Sequence, residues 1–334
     1  MENTVVGIDL GGTFIKAGIL DARGKIYAKR KIPTRAERGY RAIAEDMRDL
    51  AQALAEESNI PFSQVRALGV GSPGIVDSAA GTVLSNCNLG LENVPIAAEL
   101  MKLTLKPAFA LNDANAAALG ESKWGAGGGF SSVVLVTLGT GIGSGIVVEG
   151  KLVEGFHGAG AELGHTTIRK NGKLCACGRR GCFEKYASAT ALIEETRRAM
   201  RKYPESALWA EAKTLRDVDG KTAFEAAKRG DASAEQVVAK YVDDLAEGLG
   251  NIANLLRPEA ILLGGGVAQE GESLFVPLEN ALRGKIYGGE KYTKLILRRA
   301  ALGNDAGLCG AAMRFHPNPL FISSKILSFP PRRL

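Results

Sequence analysis

The sequence predicts a duplicated α/β fold: two halves, each opening with a glycine hairpin, packed about a cleft. Three observations point there. The chain has 334 residues, more than the roughly 100 to 200 of one ordinary domain, so two cores are expected. Apolar runs ending in glycine-rich turns occur at residues 5–12 and again at 132–145, about 130 residues later. Between and after them, apolar spacings of three and four residues mark helices.

Composition narrows the class. Hydrophobic residues make up 46% and charged residues 23%, ordinary for a folded globular chain. Glycine is the outlier, with 42 of 334 residues against a usual share of about 7%. The longest uncharged stretch, 124–148, carries Gly125, Gly127, Gly128, Gly129, Gly139, Gly141, Gly143 and Gly145; strand, loop, strand fits it better than a membrane span. Met1-Glu2-Asn3 lacks the basic start of a signal peptide, so a cytoplasmic location is expected. Five cysteines, three of them at 175, 177 and 182, fit reduced thiols better than a disulfide framework. The net charge of +6 is small for this length. Lys29, Arg30, Lys31, Arg35, Arg38 and Arg41 crowd together without interleaved aromatics, which reads as a solvated face and not as a nucleic-acid surface.

In chain order, Val5-Val6-Gly7-Ile8-Asp9 is a buried strand, and the alternation through Ile19 completes a hairpin across Leu10-Gly11-Gly12-Thr13. Tyr40, Ile43, Met47, Leu50 and Leu54 share one face of a helix over 38–57. Strands follow at 65–70 and 108–111, and Asn112-Asp113 caps a helix over 114–122. The second cycle has a strand at 132–138, a turn at 139–145 and a strand at 146–148. Tyr241, Leu245, Leu249, Ile252 and Leu256 mark a long helix stopped by Pro258; a buried strand at 260–263 then ends in Gly264-Gly265-Gly266. The expected halves are 1–112, with a returning helix at 306–314, and 113–305. The proline-bearing tail, 315–334, has no period.

Two familiar motifs fail on context. Gly69-x-Gly71-x-x-Gly74 follows a strand, but Pro73 stands where a dinucleotide-binding helix would open. Gly145-x-x-x-x-Gly150-Lys151 lacks the following hydroxyl, since Leu152 stands there. The paired turns are more informative. At Gly11-Gly12-Thr13 and Gly139-Thr140-Gly141, glycines let backbone amides approach phosphate oxygens, threonines add donors, and Asp9 at a strand end can hold Mg²⁺ through water. Gly264-Gly265-Gly266 offers a third close approach, to a nucleoside. His165, Cys175, Cys177 and Cys182 put four soft ligands within 18 positions, a closed Cys₃His set suited to structural zinc. Asp113, at a helix start, is the candidate acid/base group, a role compatible with capping.

These stretches together resemble the sugar kinases of the ROK family (repressor, open reading frame, kinase), in the actin-like ATPase superfamily. The likeness covers nearly all of 5–314 and is carried by Asp9-Leu-Gly-Gly-Thr13-x-x-Lys16, Asn112-Asp-Ala-Asn115 through Gly120-Glu121, 138–143, Glu162-Leu-Gly-His165, Cys175-x-Cys177-Gly-x-x-Gly-Cys182-x-Glu184, 263–267 and Gly303-Asn-Asp-Ala-Gly307. It implies the two-domain actin-like (ribonuclease H-like) α/β fold with a closing cleft, ATP and Mg²⁺ use, zinc in the 165–184 loop and a homodimer or higher homo-oligomer. By resemblance, Asp113 takes the proton of a sugar 6-hydroxyl, and Asn112, Glu162, His165 and Glu184 hold ring hydroxyls. Lys16 joins the phosphate-facing set, and the loop carrying Asn88 helps line the sugar pocket.

The implied activity is phosphorylation of a hexose at O6, glucose first, with an N-acetylhexosamine or fructose as the alternative acceptor. Ser72, Leu91 and Leu111 depart from common family residues and bear on which hexose fits. A sugar-responsive transcription regulator of the same family is disfavoured, because Asp9 leaves too little chain before it for a helix-turn-helix domain.

Overall fold

The computed structural model describes residues 4–86, 89–289, 291 and 294–313. The first apolar run and its glycine turn form the hairpin β1 (Thr4–Leu10) and β2 (Phe14–Leu20), joined on the outside by β3 (Ile26–Pro33). Lys29, Arg30 and Lys31 are exposed on this edge strand, where charge discourages pairing with another chain. The spacing of Ile43, Met47, Leu50 and Leu54 produces α1 (Gly39–Glu57), which buries all four. Strand β4 (Val65–Ser72) follows, then a small antiparallel sheet of β5 (Ile75–Asp77), β6 (Thr82–Asn86) and β7 (Leu91–Val94), α2 (Ile96–Thr104) and β8 (Ala108–Asn112). The first main sheet runs β3-β2-β1-β4-β8, with β1, β4 and β8 parallel.

Helix α3 (Asp113–Trp124) leads to β9 (Val133–Leu138), β10 (Ile142–Val148) and β11 (Lys151–Leu152). Helices α4 (Glu184–Ala187), α5 (Ala189–Lys202), α6 (Leu208–Glu211), α7 (Thr222–Lys228) and α8 (Ala232–Leu256) come next. The chain then forms β12 (Ala260–Gly264), α9 (Glu272–Arg283), β13 (Ile296–Arg299) and α10 (Ala306–Met313). The second main sheet, β11-β10-β9-β12-β13, repeats the antiparallel hairpin beside parallel strands. The uncharged stretch is thus turn, strand, strand. Among the described residues no helix is long and apolar enough to cross a membrane.

Helix α10 returns to lie on β1 and β4 and against α3, while α3 packs on β9 and β10. Its expected last residue, Arg314, and the tail lie outside the described residues. Two expectations shift. Strand β10 begins at Ile142, earlier than the expected residue 146, because Gly143 and Gly145 are strand residues and not turn residues. A Cβ on Gly145 would stand 2.4 Å from the Ala118 side chain, so the glycine lets α3 lie close on the sheet. The long helix starts at Ala232, before the expected apolar face, where the Asp231 carboxylate accepts from the Ala234 amide.

Candidate active site and the Cys/His loop

The site lies where Asp9 and Lys16 of the first sheet and the Gly139 to Gly143 segment of the second meet the start of α3. Asn112 is the N-cap: its Oδ1 accepts from the amides of Ala114 (2.9 Å) and Asn115 (3.1 Å), and its Nδ2 donates to the Gly74 carbonyl (2.9 Å). The cap therefore falls on Asn112 alone, and Asp113 is the first helical residue. Its Oδ1 accepts from the Ala114 amide at 2.8 Å. A cleft of about 460 Å³ opens in front of it, lined by Asp9 and Lys16 from the first half, Thr137 and Gly139 to Gly143 from the second, Glu184, and Gly303, Asn304 and Gly307.

Charge is gathered unevenly here. Burial lifts the Asp113 carboxyl above the usual carboxylate range, and the charges of Asp9 and Glu162 push the same way, while the Ala114 amide opposes. Asp9 pairs with Lys16 at 3.1 Å. Two further carboxylates thus act on Asp113, and Lys16 stands on the first-half wall of the cleft beside Asp9, an arrangement that favours a cation and phosphate together.

The expected residues do not all line the cleft. Asp9, Lys16, Asp113, Gly139, Thr140, Gly141 and Glu184 do. Gly11, Gly12 and Thr13 form the β1–β2 turn, with Gly12 and Thr13 exposed at the sheet end. Gly264 pairs with Thr137 at the end of β12, and Gly265 and Gly266 are exposed beyond it. Glu162 is exposed just before the His165 turn. Asn88 lies outside the described residues. The sequence reading left out Thr137, whose polar side chain inside an apolar strand was the available signal, and it marked Gly303 and Asn304 only within a stretch that carries the family resemblance, without a role.

The Cys/His loop converges. His165, Cys175, Cys177 and Cys182 each bring a ligand atom within 4.8 Å of the others. The sulfurs of Cys177 and Cys182 are 3.6 Å apart, and the Cys175 sulfur is 3.7 Å from His165 Nδ1. A disulfide needs about 2.05 Å, whereas edges of a zinc tetrahedron with bonds of about 2.3 Å are about 3.8 Å long. The donor set fits zinc. Cys175 also donates to Glu184 Oε1 at 3.1 Å in the thiol form, and Glu184, two residues after Cys182, ties this cluster to the cleft wall through the chain. The 169–173 stretch is held from outside: Arg169 pairs with the buried Asp244, and Lys173 with Glu195 at 3.3 Å.

Comparison with known proteins agrees with this architecture. The ROK family model matches residues 5–317, and the chain belongs to that family. The glucokinase of Thermotoga maritima is 38% identical over 309 residues, 92% of this chain and 96% of that one. A crystal structure of a ROK family glucokinase from Streptomyces griseus in complex with glucose and AMPPNP superposes with a TM-score of 0.77 at 35% identity, covering 93% of this chain and 98% of that chain. The ROK hexokinase of Thermus thermophilus gives 0.78 at 36% identity, covering 93% and 97%. The fold is the two-domain actin-like α/β fold of these kinases.

Proposed function

We propose that this protein transfers the γ-phosphoryl group of ATP to the 6-hydroxyl of a hexose, glucose first. The observation that carries the reading is the position of Asp113, a carboxyl with a raised pKa at a helix start, facing a cleft lined by Asp9, Lys16 and the Gly139 to Gly143 turn. The lobes are proposed to comprise residues 1–112 with 306–314, and 113–305.

In the proposed reaction, Asp113 accepts the proton of the 6-hydroxyl as its oxygen attacks the γ-phosphorus; the bond to the leaving ADP oxygen breaks on the opposite side. Lys16 and the amides of the two glycine turns receive the phosphate charge. Asp9 would hold Mg²⁺ through water, which supplies charge neutralisation for the phosphates when bound. Glu184, Glu162 and His165 would accept from or donate to ring hydroxyls, with one N–H of Asn112 left for the same task after its bond to Gly74. His165, Cys175, Cys177 and Cys182 would hold a structural zinc, whose work is to fix the 165–184 loop.

The test is ADP release by purified protein with ATP and Mg²⁺ across a panel of glucose, mannose, fructose, N-acetylglucosamine and N-acetylmannosamine. Release is expected with glucose above the rest. Preference for an N-acetylhexosamine or fructose would move the acceptor within the family, and ADP release indifferent to every sugar would overturn the kinase reading.

A further inference from the structure

The mechanism above leaves a buried charge without a task. Glu121 lies eight residues after Asp113 on α3, about two helical turns along, and is 0% exposed. A carboxylate removed from water is costly unless hydrogen bonds replace its hydration. Here backbone amides do so: Oε2 accepts from Ala126 (2.9 Å) and Ala301 (3.0 Å), and Oε1 from Leu302 (2.6 Å). The first bond closes the end of α3. The other two reach the turn that follows β13.

That turn leads directly into the cleft wall. Gly303 and Asn304 line the same cleft as Asp113, and Gly307 lies against the Asp9 carboxylate, its would-be Cβ 3.4 Å from Asp9 Cγ. On its far side α10 crosses α3 so closely that a Cβ on Gly310 would stand 1.6 Å from the Ala116 carbonyl oxygen. The 301–305 turn is therefore held at one end by Glu121 and at the other by this crossing. Both anchors are on the helix that begins with Asp113.

We propose that Glu121 is a positioning residue for the nucleotide: its carboxylate fixes the 301–304 turn relative to Asp113, so this wall of the cleft is formed before ATP arrives. The inference rests on the reading that ATP occupies this cleft. Without the carboxylate the turn samples other positions, and nucleotide binding must select the competent one. The sugar contacts proposed above belong to other loops and are spared.

Two substitutions test this. Glu121→Gln keeps the volume but sets an NH₂ against backbone N–H donors. Gly125→Ala leaves the carboxylate chemically intact but displaces it, since the new Cβ would stand 2.0 Å from Oε2. An unsatisfied buried donor is worth about a tenfold change in binding when the loss falls on one state. Glu121→Gln is expected to raise the ATP KM and weaken ADP binding by calorimetry about tenfold, to leave the sugar KM within about twofold, and to speed amide exchange at 301–304. Gly125→Ala should show the same split more weakly, and it decides the matter where Glu121→Gln does not fold. Equal rises in both KM values, or unchanged ADP affinity in either folded variant, would overturn the proposal. A wild type that binds ADP but phosphorylates no sugar would remove the kinase reading alone, because the ADP measurement still reads Glu121; a wild type that binds no nucleotide would remove both.

Discussion

At the scale of single residues, Asp113 carries the sharpest expectation. Asp113→Asn keeps an oxygen for the Ala114 amide and leaves the Asn112 cap untouched, so the fold should tolerate it. Removing a positioned base loses about 10² to 10⁴ in rate, and kcat is expected to fall by that factor with sugar binding little changed. The stability effect has a definite sign. Because burial raises the carboxyl in the folded state, its contribution to stability is present below the unfolded pKa and is lost as pH rises through the folded one. At neutral pH the charge of this half-buried, desolvated carboxyl is a cost that asparagine lacks, so the variant should melt no lower than wild type. The acid limb of the wild-type kcat/KM profile should lie above the ordinary carboxylate range. A variant with wild-type turnover, or one that melts well below wild type at neutral pH, would contradict this account. Asp113 was legible in the sequence because a strand ending in Asn-Asp before a small-residue helix is a local pattern. Thr137 was not, since its place on the cleft wall comes from sheet order, and Asn304 was marked only within a stretch of family resemblance, since its place comes from the turn after β13.

At the scale of elements, the two hairpins and the helices α1, α3 and α8 were readable because apolar period, caps and glycine turns agree there. The sheet of β5 to β7 and the helices α4 and α6 have three to five residues per strand and four per helix and give no period to detect; α2, α5, α7, α9, β3 and β13 were also not assigned. The start of β10 was misplaced because glycine reads locally as a turn, whereas at Gly145 it makes room for α3. The Cys/His loop is a different case, legible from ligand spacing with little secondary structure of its own. Its link to the cleft runs along the chain itself, from the ligand Cys182 to Glu184 two residues on, which lines the cleft. Cys177→Ala should therefore remove zinc found near one equivalent per chain in wild type by elemental analysis, and raise the sugar KM far more than the ATP KM. A metal-free wild type, or a zinc-free variant with unchanged sugar KM, would separate the cluster from the pocket.

At the scale of the whole molecule, the halves are joined by more than the crossing of α3 and α10. The loop after β11 reaches back to β5: His157 Nδ1 lies 2.8 Å from Asp77 Oδ2, and Ser78 Oγ donates to Glu154 Oε2 at 2.8 Å. Between them Gly158 lies against the Val76 carbonyl, where a Cβ would stand only 1.9 Å from the oxygen. This latch ties the small sheet of the first half to the segment that runs on to Glu162, so under the proposed function it would hold together the two walls that close over a sugar. His157 is 55% exposed at its side chain, and ion pairs in water are worth about 0 to 1 kcal/mol. His157→Ala should then raise the sugar KM by no more than about fivefold, leave the ATP KM unchanged, and increase the radius of gyration of the sugar-free protein in small-angle scattering. The acid side follows from Asp77, whose carboxyl is held low first by its bond to His157 and then by the Ala80 amide. A carboxyl depressed in the folded state stabilises above its unfolded pKa, and that contribution disappears as pH falls through the folded value. Asp77→Asn should accordingly lower the melting temperature at neutral pH, with the difference from wild type closing only below the ordinary carboxylate range. A difference that persists unchanged through that range and below it would mean that Asp77 acts by shape and not by charge, and an unchanged sugar KM in His157→Ala would mean that the latch does not bear on closure.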